Sequence, residues 1–129
     1  MPGSPLADCS LSWPLPLLPK ASLLQLLLVL LQSRRHLRVE GLSMLPTLKP
    51  GDWIIYRPRQ STELLPPDGT VVVACLPGQP ELLVVKRLSH RNANDIYLLG
   101  DNLDISTDSR RFGPVRPEEI FGQVESTFN

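Results

Sequence analysis

Three separated stretches of this sequence carry side chains that could do chemistry together. The first, residues 39–52 (VEGLSMLPTLKPGD), sets Ser43 in a short loop between apolar segments, with Gly41 before it, Pro46 after it and a Pro50-Gly51 turn closing the unit. A serine in such a bend is either an ordinary surface turn residue or a nucleophile that needs a base and an oxyanion site from elsewhere in the chain. The second stretch, residues 81–88 (ELLVVKRL), ends an apolar run with Lys86. A lysine there either snorkels to water beside Arg87 or is held among apolar neighbours. In the second case desolvation lowers its pKa and supplies a neutral amine as a base, so that a serine can be activated without histidine. The third stretch, residues 99–115 (LGDNLDISTDSRRFGPV), is too rich in Asp, Asn and Ser for an ordinary strand. Counted as a calcium loop from Asp101 it fails, because Ser106 stands where the glycine belongs and Phe112 where the glutamate belongs. It reads instead as a structural loop in which Asp108 pairs with Arg110 and small hydroxyls satisfy backbone groups near a buried site, a loop able to orient a lysine.

The elements that must position these groups are mostly strands. The 129 residues allow one domain with one core, and 14 prolines and 8 glycines with short valine- and leucine-rich runs favour strands and turns over a helical bundle. Residues 53–56 predict a strand, 57–69 a polar connection, and 70–76 (TVVVACL) a buried strand whose return, after a turn at 77–80, is 81–88. Further strands are expected at 96–99 and 120–128. The first 19 residues hold five prolines, which exclude a regular helix, and predict a disordered leader. Residues 20–36 predict a short helix. Its apolar run at 21–31 is well short of the roughly 20 residues that span a bilayer, and it lacks the flanks of a cleaved signal. It is expected to dock on a membrane surface or on the domain's own core, for a cytoplasmic or peripherally membrane-associated protein.

Composition narrows the partners. Thirteen basic and thirteen acidic residues balance, which argues against nucleic acid as a ligand. Cys9 and Cys75 form no metal-binding spacing with His36 or His90, so no metal or cofactor is expected; the two histidines read as solvated and Cys75 as a core thiol.

Three blocks in order, G-x-S-M-x-P-T-L-x-P-G-D at 41–52, V-K-R at 85–87 and G-D-N-x-x-x-S-x-D-S-R-x-x-G-x-V at 100–115, resemble the type I signal peptidases and their mitochondrial inner-membrane relatives. The resemblance covers the folded part of the chain, residues 37–129. It implies a small antiparallel, β-barrel-like catalytic core with one N-terminal helix, and a Ser/Lys serine endopeptidase. In that reading Ser43 is the nucleophile, Lys86 the general base and Ser106 the hydroxyl that orients the lysine. Asp108 and Arg110 form a supporting ion pair, Gly100, Asp101 and Asn102 shape the loop, and the N–H groups of Gly41 and Ser43 form the oxyanion hole. Met44 and Pro46 belong to the substrate side, Met44 equally to the core.

Such peptidases usually carry full membrane spans and a second β domain between the lysine block and the third block, where this chain has only residues 88–99. A compact relative of this kind resembles the maturation proteases of nickel-containing superoxide dismutase, which implies a precursor with an N-terminal leader as partner. The alternatives are a general leader peptidase, a self-cleaving regulator of the repressor type, and an inactive module that keeps the peptide groove.

Overall fold

The β-branched run in the middle of the chain forms β3 (Val71–Leu76), and both of its faces are covered. Val71 and Val73 join one core cluster with Val39, Met44, Leu48 and Ile54, while Val72 and Ala74 join another with Leu88, Ile96, Leu98 and Ile120. Side chains alternate across a strand, so a continuous apolar run is what a strand between two cores requires.

The computed structural model describes residues 18–31, 33–60 and 62–128; most of the expected leader, residues 1–17, lies outside them. Six antiparallel strands form one sheet in the order β1-β2-β6-β3-β4-β5, with β1 (Arg35–Arg38), β2 (Trp53–Pro58), β4 (Gln79–Asn92), β5 (Asp95–Leu99) and β6 (Ile120–Phe128). The fold is mostly β, as expected, and the sheet stays unclosed, with β1 and β5 at its edges. Gly122 lets β6 pass close to β2: a Cβ there would lie 2.3 Å from the Arg57 carbonyl oxygen.

The turn expected at 77–80 is only residues 77–78, since β4 begins at Gln79, and three larger differences from the sequence reading bear on the frame. The helix expected over 20–36 is only α1 (Leu23–Leu30), opened by a capping box in which Ser22 and Gln25 exchange side-chain to backbone hydrogen bonds. None of its residues is buried. Residues 35–38 instead pair with β2, which satisfies their backbone and lets Leu37 pack on the core; tertiary pairing ends the helix expected to continue through Arg35 and His36. The second difference concerns the leader, expected to reach residue 19. Leu18 packs against the core, and the Pro19 carbonyl accepts from the Thr127 N–H at 2.8 Å. Third, β4 extends past residue 88, because a register shift between Leu88 and His90 lets it go on to pair with β5.

Two connections face each other across this frame. Residues 39–52 link β1 to β2 and are closed at the neck by Val39 N–H to Asp52 carbonyl (2.7 Å) and Gly51 N–H to Val39 carbonyl (2.8 Å). Residues 100–108 link β5 to the single-turn helix α2 (Ser109–Phe112), which Asp108 caps at the Arg110 N–H.

Candidate active site

A buried ion pair fixes the distance between the two loops and β4. Arg87 on β4 donates from Nε and Nη2 to the two Asp101 carboxylate oxygens, each at 2.9 Å, with side-chain exposures of 3% and 0%. Its third nitrogen donates to the Gly69 carbonyl at 2.7 Å, and Thr47 Oγ1 donates to Asp101 from the serine loop. Asn102 completes the tie: its N–H donates to the Ser43 carbonyl at 2.8 Å and its side-chain amide to the Leu42 carbonyl at 3.2 Å.

One residue before Arg87, Lys86 is buried at 5% exposure. Its Nζ lies 2.7 Å from Ser43 Oγ and donates to Ser106 Oγ at 3.3 Å. Ser106 is brought there by Gly100. A Cβ on Gly100 would fall 2.0 Å from Ser106 Oγ and 2.6 Å from the Ser43 carbonyl oxygen, so only a glycine lets the two loops close on the lysine. Asp108, fully buried, accepts from the Gly100 N–H at 2.9 Å and from Arg110 Nε at 2.9 Å, while Arg110 also donates to the Leu103 carbonyl at 2.6 Å.

The electrostatics follow from this packing. Burial holds the Lys86 amine below the ordinary lysine range; the Asp108 carboxylate opposes the shift and the Arg110 cation reinforces it. Burial alone would raise the Asp108 carboxyl, but hydrogen bonds from Arg110, Gly100 and Ser106 outweigh it and keep the group below its usual value. An amine and a carboxyl whose pKa values are both lowered thus share one buried cluster.

The sequence-predicted residues Ser43, Lys86, Ser106, Asp108, Arg110, Gly100, Asp101 and Asn102 therefore converge on one site. Gly41 sits at φ +78° in the turn entering the serine loop, and neither its N–H nor that of Ser43 donates to another group among the described residues. An open cleft of about 200 Å³ beside Ser43 and Lys86 is lined by Leu37, Val39, Met44 and Val85. Met44 belongs to both the cleft and the core, whereas Pro46, expected on the substrate side, is exposed and outside the cleft lining because the loop turns it outward. Cys75 is a buried free thiol. His36 is exposed against Trp53, but His90, expected to be solvated, stacks on Tyr97 with ring centres 4.6 Å apart.

Sequence reasoning left three contributors unassigned. Arg87 entered only beside Lys86 and as part of a block, and Thr47 and Ser109, whose Oγ accepts the Leu98 N–H at 2.8 Å, only as letters of their blocks. The one available signal was the pairing of a basic residue on a buried strand with an acidic residue after another.

Fold and site together are those of a serine peptidase built on a β core. The chain belongs to the Peptidase S24-like family, whose model matches residues 23–124, in agreement with the signal-peptidase-like resemblance of the three blocks. No curated protein matches it.

Replacing Asp101 by Ala leaves Arg87 buried and uncompensated, so we expect a loss of about 3 kcal/mol in urea denaturation; a loss below about 1 kcal/mol would refute the role of this pair. Lys86→Met should act oppositely. Because the lysine pKa is lower in the fold than in the unfolded chain, the penalty is fully present below the folded pKa and fades as pH rises toward about 10.4. We expect the variant to be about 1–2 kcal/mol more stable at neutral pH, with the gap narrowing in alkali. A pH-independent gap would contradict a depressed lysine.

Proposed function

We propose that this protein is a Ser/Lys endopeptidase that removes an N-terminal leader from a precursor protein. The observation that carries the proposal is the 2.7 Å separation of Lys86 Nζ and Ser43 Oγ at a buried amine. Neutral Lys86 takes the Ser43 proton as the serine oxygen attacks the scissile carbonyl carbon. The N–H groups of Ser43 and Gly41 stabilise the resulting oxyanion, a contribution worth about a hundredfold or more in turnover per donor. On collapse the peptide C–N bond breaks, and the leaving amine takes the proton from Lys86. Water, deprotonated by Lys86, then cleaves the acyl-enzyme and restores Ser43. Ser106 and the Asp108–Arg110 pair hold the amine in position.

Substrate binding follows from two unpaired backbone edges. β4 pairs with β5 only from Arg87 onward, so residues 83–86 keep an open edge, and β1 pairs on one side only. The cleft between them suits an extended peptide that adds backbone hydrogen bonds to these strands.

As the narrower substrate we propose the precursor of nickel-containing superoxide dismutase. The support is compactness: residues 88–99 are filled by the end of β4, a two-residue turn and β5, with no second β domain between the lysine strand and the polar loop. Contact with a lipid surface through residues 21–31 belongs to the same proposal. Leu23, Leu30 and Leu31 on and next to α1 are 85%, 79% and 65% exposed, and no helix among the described residues is long and apolar enough to cross a membrane.

Mass spectrometry of precursors incubated with the protein, a nickel-containing superoxide dismutase precursor among them, should reveal a new N-terminus. Ser43→Ala, Lys86→Ala and Lys86→Arg should each abolish it, since a guanidinium stays charged. The rate should rise with pH through a lysine pKa below the ordinary value of about 10.4. Cleavage by Lys86→Arg would eliminate the lysine base, and cleavage of unrelated leaders with the dismutase precursor left intact would favour a general leader peptidase. In vesicle flotation, Leu23→Ser combined with Leu27→Ser and Leu30→Ser should reduce lipid binding at least about tenfold. Equal flotation of variant and parent would remove α1 from the membrane contact.

A further inference from the structure

The cleft beside Ser43 does not end at the catalytic cluster. A second hollow of about 440 Å³ shares Leu37 and Leu83 with it and continues along β1 toward Arg35 and Tyr56. Alternation places Arg35 on the side of β1 that carries Leu37 and, beyond the strand, the buried Val39. Directly across the β1–β2 pairing lies Tyr56, only 8% exposed.

The charges in this hollow are not equivalent. Arg34 is already matched by Glu125, with Nε 2.6 Å from the carboxylate oxygen. Arg35 makes no ion pair, and the Tyr56 hydroxyl no hydrogen bond, among the described residues. Burial pushes the Tyr56 phenol up and the Arg35 cation pulls it back down, so the two groups lie in each other's field. At the near end of the groove the charge is mixed, because Arg38 and Glu40 both line the cleft beside Ser43. A bound acidic side chain therefore gains most at the far end, where Arg35 has no counter-charge among the described residues.

Resting on the peptidase reading above, we propose that Arg35, with the Tyr56 hydroxyl beside it, is a subsite for an Asp or Glu side chain of the substrate. A peptide lying along β1 advances about 3.3 Å per residue in step with the strand, so the separation of Arg35 from the Val39–Glu40 end of the cleft puts this side chain about four residues from the scissile bond. A planar guanidinium presents paired donors to a carboxylate, and the phenol adds a third.

The test uses a randomised peptide library with mass-spectrometric readout of cleavage sites, and pairs of fluorescent peptides differing only by Glu or Gln at the selected position. We expect Asp and Glu to be enriched on one flank about three to five residues from the cut, and Glu to exceed Gln by roughly tenfold in kcat/KM. In Arg35→Gln that ratio should fall to about 1, and in the parent it should shrink as salt is raised. Binding of the same peptide pairs to Ser43→Ala by fluorescence anisotropy separates the two readings. Acid-selective binding without cleavage by the parent would sink the peptidase and keep the subsite; equal binding of Glu and Gln peptides, or a preference unchanged in Arg35→Gln, would overturn the subsite. Loss of anionic-vesicle binding in Arg35→Gln with no change in peptide preference would also overturn it, assigning the arginine to lipid phosphate.

Discussion

The whole site hangs on two charges taken out of water together. Arg87 and Asp101 are both buried, and neither is tolerable there without the other. Their pairing is bidentate, and Gly69 and Thr47 add one further hydrogen bond each. Three chain segments far apart in sequence, the 39–52 loop, β4 and the 100–108 loop, are thereby held at one spacing. Reactive groups need placement within fractions of an ångström, and a planar fork of hydrogen bonds constrains angle as well as distance, which a hydrophobic contact of the same area does not.

Lys86, the neighbour of Arg87 on the same strand, meets the opposite treatment. Arg87 receives a full counter-charge, whereas Lys86 receives hydroxyls and apolar walls, with the nearest carboxylate already engaged by Arg110. Adjacent residues on a strand point to opposite faces, so an ion-paired and a desolvated basic group can sit side by side in sequence and occupy different environments. The guanidinium, which keeps its proton, does the structural work; in the proposed mechanism the ammonium, which can lose it, is left for proton transfer.

Much of this was legible in the sequence, for identifiable reasons. Val71–Leu76 and Ile120–Phe128 were readable because β-branched and alternating patterns are local. The convergence of Ser43, Lys86 and Ser106 was readable through the resemblance of three ordered blocks, since no local pattern links residues so far apart. β1 was missed because its four residues, RHLR, carry no strand periodicity and owe their conformation to pairing with β2. Thr47 was missed because a hydroxyl in a turn looks the same whether or not it reaches a buried carboxylate. The need for glycine at position 100 is likewise invisible locally; it comes from how near the Ser43 and Ser106 segments approach each other.

The open edges of β1 and β4 carry a consequence beyond substrate entry. A strand edge able to accept an extended peptide can equally accept the edge of a second copy, the usual first step of sheet-to-sheet association. Arg35, Arg38 and Glu40 stand along the exposed rim of this one. Self-pairing of the edge would require these charges to be taken out of water, a cost of the kind that charged edge residues impose. The same few side chains that border the groove thus also charge the edge that a second copy would have to pair with.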